Sequence, residues 1–584
     1  MIPKDKASKT RKKSSLAAPQ LRTRKLTIIA QDPSIRVRGK ILRTQVEIPA
    51  EDLQPGPWGY RVQTLDFDSS TGTFYKPLKY PELADGDNDD PYKKASDAKL
   101  LSDPNFHAQN VYAIVMRILA RFEFALGRRV SWNFYGHQIK IAPHAFAEAN
   151  AFYSEDNQAL LFGYFPGRDH MVYCCLSHDI VAHETTHALL DGLRERYTDP
   201  SSPEQAAFHG GFADIVALLS VFALPKIAET IIDFNAPRTN RSRISSKLLT
   251  IKALRKSMLL GLAKEMGAEL PAIRGNVLRR SVELAPSRTY INDPEFEEPH
   301  RRGEILVAAV LNAFLSVWEK RVISLGEVSR GYRDRGRVVE EGAAIADYLL
   351  TMVIRALDYA PPVHLEFCDF LSAILTSDLE INPNDSKYKF RETLRKTFIR
   401  YGIDPASPGT ANEPGIWKPP TEKISNDRIH FESLQRDRDE VFRFIWENWD
   451  ELGLYEQAYT RVLSVRPCLR IGPDGFALRE TVAEYMQIID LKATEVKKRK
   501  IEVPDDMSPD EEIRLSGGGA LIFDEYGKLK YHVNNPLDSK LRQSRRIEYL
   551  WRYGFFKNKS AFRDFASLHR QRANALATFS PQQW

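Results

Sequence analysis

Over the first hundred residues, apolar positions come in short alternating runs. Leu42, Val46 and Ile48 share one face of a two-residue period, and Gly56-Pro57-Trp58-Gly59 breaks the chain after them, so residues 26–100 read as a small β-rich region of strands and turns. Asp103-Pro104 opens a helix in which Val111, Ile114, Val115, Ile118, Leu119 and Phe122 keep a 3.6-residue period up to Gly127, the pattern of one face packed on a core. Alternation returns at Ile139 and Ile141, then at Ala151-Phe152-Tyr153, an Asp156-Asn157 turn and Leu160-Leu161-Phe162. Runs this close together predict an antiparallel sheet. From Ser177 to about Tyr401 the period is helical, strongest over 212–222 and 305–317, which predicts an α-helical lobe.

Pro405, Pro408, Gly409, Pro414, Gly415, Pro419 and Pro420 mark residues 404–420 as a linker. The following stretch, 421–584, reads as an α+β module. It has a helix near 437–454, a hairpin at Pro473-Asp474-Gly475, a strand Ala520-Leu521-Ile522-Phe523 facing 528–533, and a basic, aromatic segment over 540–572 expected to be an amphipathic docking helix. Gly517-Gly518-Gly519 runs into a strand and lacks the Lys-Ser or Lys-Thr of a phosphate loop.

Length changes this picture by requiring several packed units for 584 residues, and 43% hydrophobic with 27% charged residues is an ordinary globular balance. No stretch reads as the roughly 20-residue apolar run of a membrane span, and no signal peptide precedes the first strand. Four scattered cysteines suit neither a disulfide framework nor a cysteine-rich zinc module. The expectation is a cytoplasmic protein. Residues 1–25 hold nine Lys or Arg against one Asp, a charge of +8 that exceeds the +6 of the whole chain and leaves −2 for residues 26–584. That segment reads as a disordered basic tail, so nucleic acid is a partner only through basic tails and the body is nearly neutral.

The chemistry begins at His183-Glu184-Thr185-Thr186-His187, an H-E-x-x-H sequence between the apolar runs Ile180-Val181-Ala182 and Ala188-Leu189-Leu190. One helical turn separates the two imidazoles, so they leave the same helix face and can share a zinc ion, with Glu184 beside them as a base. Three further segments in the same order resemble the thermolysin-like (gluzincin) metallopeptidases over roughly residues 100–400. Asn150-Ala151-Phe152-Tyr153 resembles that family's substrate-holding edge strand, Ala213-Asp214-Ile215 the segment whose Asp orients the first zinc histidine, and His300 the histidine that stabilises the tetrahedral intermediate. Tyr197 resembles, more weakly, a tyrosine that assists the oxyanion.

The resemblance implies an α+β, two-lobed zincin core over 101–403, with a β-rich N-terminal lobe, a helical second lobe and the α+β module appended. It implies a Zn2+ cofactor held by His183 and His187, catalytic Glu184, His300 and Tyr197, substrate binding at Asn150 and Ala151, Asp214 behind the ligands, and a peptide or protein substrate. No acidic cluster matches the family's calcium sites. One position departs from the pattern: the family's third zinc ligand, a Glu, falls four residues before Asp214, where this chain has Gly210. Catalytic zinc ordinarily takes three protein ligands. The expectation is therefore weakened or absent peptide hydrolysis, or a pseudopeptidase binding a peptide in the same groove. Glu204, His209 and Asp214 are the substitutes within reach in sequence.

Overall fold

The computed structural model describes residues 22–37, 39–81, 90–132, 136–167, 170–199, 201–233, 242–263, 280–420, 423–426 and 428–556. Most of the basic head and the end of the C-terminal basic segment lie outside the described residues. The chain opens with β1 (Thr23–Ile29), paired antiparallel to β2 (Arg43–Pro49). Thr23 to Lys25, assigned to the tail from sequence, thus belong to a ladder, with Arg24 buried.

Helix α1 (Pro104–Leu126) has the bounds its local signals predict. The Asp103 carboxylate caps the Asn105 N–H at 3.0 Å, and Gly127 ends the helix at φ 67°, a left-handed conformation that glycine adopts at no cost. Asn110 on this helix accepts from Ile29 N–H and donates to the Cys175 carbonyl, both at 2.9 Å. It thereby ties β1 to the turn that starts the next helix.

The central sheet contains β3 (Val62–Thr64), β4 (Ile139–Phe146), β5 (Ala151–Ser154), β6 (Ala159–Pro166) and β7 (Met171–Tyr173). Its order is β7-β6-β4-β3, with β5 also on β6. The antiparallel expectation holds for β5–β6 and β6–β7, but β6 runs parallel to β4, and β4 parallel to β3. The cause is topological. The hairpin β5–β6 folds so that β5 takes the far edge, and β6, after two reversals, lies beside β4 in the same direction.

The helical lobe is built from α2 (His178–Leu193), α3 (Pro203–Phe222), α4 (Pro299–Ser324), α5 (Arg335–Arg355), α6 (Phe367–Ile381) and α7 (Phe390–Arg400). Helix α3 is, among the described residues, long and apolar enough to cross a membrane, contrary to the sequence expectation, yet 83% of its apolar window is buried in the fold. It is the core helix of this lobe.

The C-terminal region supplies α8 (Arg438–Glu447), an antiparallel sheet in the order β8 (Tyr459–Ile471), β9 (Ala477–Lys492), β10 (Glu512–Phe523), β11 (Leu529–Asn535), and α9 (Lys540–Arg552). The period of two divides its faces. Val482, Ala520 and Ile522 join the main core, while Ala483, Leu521 and Phe523 pack under α8. The region therefore shares the central core instead of hanging from a linker. Residues 404–420 are themselves packed: Ile416 is buried, and Trp417 N–H donates to Thr376 Oγ1 at 2.8 Å. Gly and Pro there mark turns, not looseness. Asp358 anchors the joint. Burial alone would raise its pKa, but the guanidiniums of Arg128, Arg470 and Arg194 hold it well below the usual carboxylate range. Gly517 to Gly519 lie within β10, where side chains would strike the Leu537 and Tyr485 backbones and the Asn534 side chain, which accounts for them without a phosphate.

Candidate active site

Helix α2 is buried along almost its whole length. Its two threonines are satisfied within the helix, Thr185 and Thr186 donating to the carbonyls of Val181 and Ala182 at 2.6 and 2.7 Å. The i, i+4 spacing brings His183 Nε2 and His187 Nε2 to 2.8 Å, with ring centroids 4.5 Å apart. Two Zn–N bonds of ordinary length at a tetrahedral angle would hold these nitrogens about 3.3 Å apart, so a metal between them requires an opening of about half an ångström.

Helix α3 packs against α2 and completes the surroundings. Asp214 Oδ1 lies 2.6 Å from His183 Nδ1, and His209 Nδ1 lies 2.9 Å from His187 Nδ1, the two rings stacked at 14°. Because Asp214 as a carboxylate only accepts, His183 carries its proton on Nδ1 and presents a lone pair at Nε2. A consistent metal-free arrangement follows, in which His209 Nδ1–H donates to His187, His187 Nε2–H donates to His183, and His183 Nδ1–H donates to Asp214. Burial, then the neighbouring His183, pushes His209 down to about 3, so it stays neutral. Metal binding at His187 Nε2 would move that ring's proton to Nδ1, with His209 turning acceptor.

Gly210, on the same helix, is half-buried, and a Cβ built there meets nothing within 4 Å. Its neighbour Gly211 is different. There a Cβ would lie 3.3 Å from the backbone of Gly303 in α4; this is where the two helices cross.

Glu184 faces the sheet. Its Oε2 accepts the Tyr153 backbone N–H of β5 at 3.1 Å, while the Tyr153 hydroxyl donates to Asp191 Oδ2 at 3.3 Å. Tyr153 N–H therefore points away from β6, and by strand alternation so do the N–H and C=O groups of Ala151. Asn150 Oδ1 accepts the Ala151 N–H at 2.9 Å. On this outer edge both N–H groups are engaged, and the carbonyls of Ala151 and Tyr153 point the same way. The Tyr153 and Asp191 contacts were not foreseen from sequence, where Tyr153 signals only a strand aromatic.

His300 stands in the first turn of α4, one turn before Gly303, and is half-buried. The α3–α4 crossing thus sets its position. Tyr197 is placed elsewhere. It is buried in a short turn after α2, with its hydroxyl donated to the Pro361 carbonyl at 2.9 Å and its ring edge-on to Phe208. This corrects the oxyanion role expected of it, because its O–H serves the joint with the C-terminal half. Glu204 is likewise committed, accepting Phe367 N–H at 2.6 Å and Arg302 at 3.3 Å at the start of α6.

No known family's profile matches the chain, and no curated protein matches it. Among solved structures it is similar to a precursor of protealysin, a metalloproteinase from Serratia proteamaculans, at 16% identity and a TM-score of 0.35, over 61% of this chain and 90% of that one. That likeness is too distant to carry a function.

Proposed function

We propose that this chain is a thermolysin-like zinc metallopeptidase, an endopeptidase whose turnover is weakened by Gly210. The observation that carries the reading is the meeting of His183 Nε2 and His187 Nε2 at 2.8 Å, with Asp214 behind His183 and Glu184 on the same helix. The arrangement of a β-rich part before α2 and a helical part after it supports the same reading. The donor set fits zinc at two of three positions: His183 and His187 would hold it, Asp214 fixes the His183 tautomer, and the third position is glycine. When bound, zinc supplies Lewis-acid polarisation of a carbonyl oxygen.

This chain's own residues do the rest. The carbonyls of Ala151 and Tyr153 accept N–H groups from an extended peptide laid along β5, with Asn150 bracing the strand. Tyr153 N–H holds one oxygen of Glu184, whose carboxylate takes the proton of the attacking water and returns it to the leaving nitrogen. His300 hydrogen-bonds the oxyanion. The substrate is a peptide or protein, and the setting a reducing cytoplasm, in which the four free thiols persist.

A second reading, a pseudopeptidase that binds a peptide without cutting it, is favoured by one observation: the linear polar run His209–His187–His183–Asp214 can be hydrogen-bonded from donor to acceptor by the protein's own groups. Zinc affinity and proteolysis of an unstructured protein, measured for the natural chain and for Gly210→Glu, separate the two. The first reading expects Gly210→Glu to bind zinc about a hundredfold more tightly, at roughly 1.4 kcal/mol per factor of ten. It also expects a gain in hydrolysis that Glu184→Gln abolishes. Stoichiometric zinc with no cleavage of a diverse peptide library would give the site to the pseudopeptidase.

A further inference from the structure

A second group of metal donors lies on the sheet side of α2, away from the H-E-x-x-H sequence. His107 comes from α1, His144 from β4, and Cys175 from the short turn Cys174–Leu176 that leads into α2; all three are buried. One ligand atom from each lies within 4.8 Å of the other two. His107 Nδ1 and His144 Nε2 face each other at 2.8 Å.

Their outer nitrogens fix the protons. His144 Nδ1 lies 2.8 Å from Asp66 Oδ2, and His107 Nε2 lies 3.0 Å from the Leu101 carbonyl. As a carboxylate and a carbonyl, both partners can only accept, so both rings carry their proton on the outer nitrogen. The two inner nitrogens are then lone pairs facing one another at 2.8 Å, a repulsion that one shared proton or a bound cation relieves; as at the His183–His187 pair, a metal between them requires the nitrogens to open to about 3.3 Å. Asp66 is braced for this role by accepting the His144 backbone N–H at 3.0 Å. Carboxylate–histidine and carbonyl–histidine pairs are the usual outer partners of metal-bound imidazoles.

We propose that His107 Nδ1, His144 Nε2 and Cys175 Sγ hold a borderline-soft divalent cation of the zinc class, pinning α1, the sheet and the start of α2 together. Two imidazoles and a thiolate are the donors such a cation prefers over calcium or magnesium. Charge balances on binding. Cys175 releases one proton to solvent as its thiol becomes thiolate, and thiolate plus Asp66 neutralise the dication, as burial demands. The rings of Tyr173, at 4.7 Å from His107, and Tyr75, at 4.8 Å from His144, wall the site.

The site is independent of the peptidase reading, and its test removes the first pair. Full-length protein carrying His183→Ala and His187→Ala is loaded with Co2+ as a spectroscopic probe. A thiolate-to-cobalt charge-transfer band saturating at one equivalent is expected, lost on adding Cys175→Ala, kept on adding Cys174→Ala, and displaced by Zn2+. Absence of the band, or its survival in Cys175→Ala, overturns the proposal. Should Cys175→Ala fail to fold, ring-nitrogen NMR of the parent protein decides. Zinc is expected to move the resonances of His107 Nδ1 and His144 Nε2. Unmoved resonances with an imidazolium signature would make the cluster a protonated Asp66–His144–His107 relay and sink the metal.

Discussion

Two histidine pairs in this protein meet nitrogen to nitrogen at the same 2.8 Å, and each has a carboxylate behind one member, Asp214 at 2.6 Å and Asp66 at 2.8 Å. They differ in what lies beyond. In the pair on α2, His209 continues a one-way run of donors, so every proton has an acceptor without a metal, and the place of a third ligand is Gly210. In the pair joining α1 to β4, both outer partners are acceptors, and Cys175 stands in third place. The nitrogen-to-nitrogen geometry, alike in both, is therefore not what distinguishes a pair satisfied by the protein's own hydrogen bonds from one suited to a cation. The distinction lies in the outer hydrogen bonds, which decide where the protons sit before any metal arrives.

The largest effect should fall on Glu184. Whatever peptide hydrolysis the natural chain or Gly210→Glu displays should drop about 10²- to 10⁴-fold in Glu184→Gln, the range of a lost general base, while zinc affinity stays unchanged. A comparable loss of zinc would show that Glu184 is holding the site together and not acting as base. Next come the carboxylates behind the pairs. Asp214→Asn and Asp66→Asn should each cost roughly 10- to 100-fold in affinity at their own site and leave the other untouched, read by competition with a chelating dye. Cross-effects between the two would erase the contrast drawn above, since they would make one coupled network of both pairs.

What could be read from the sequence was whatever is written locally. Asp103, Pro104 and Gly127 bound α1 because capping is decided within a turn, and His183 with His187 announce themselves because an i, i+4 pair needs no tertiary knowledge. The parallel pairing of β4 with β6 was hidden, since it depends on which edge the β5 hairpin takes. The surroundings of Tyr197 are hidden for a related reason: a lone tyrosine signals an aromatic but not the Pro361 carbonyl that engages its hydroxyl. His107 and His144 lie 37 residues apart on different kinds of element, and Cys175 follows in an apolar run that reads as packing. No spacing joins them before the fold does.

The smallest expected effect isolates the meaning of Gly210 itself. If that glycine is only an altered ligand position, its backbone carries no demand for glycine, and Gly210→Ala should behave as a change with open space around it in a helix interior. A Cβ there meets nothing within 4 Å, so the gain in helix propensity, about 0.8–1 kcal/mol, should appear as increased stability in denaturant unfolding. Gly211→Ala is the internal control one residue on. Its Cβ would press on the Gly303 backbone at 3.3 Å, where neither helix can yield without separating α3 from α4, and a loss of roughly 1–3 kcal/mol is expected. Opposite signs at adjacent glycines would mark Gly210 as a position where a carboxylate could return without moving the lobe. Destabilisation by Gly210→Ala would instead mean that the backbone itself requires glycine there, and the rescue expected of Gly210→Glu would fail for reasons of folding.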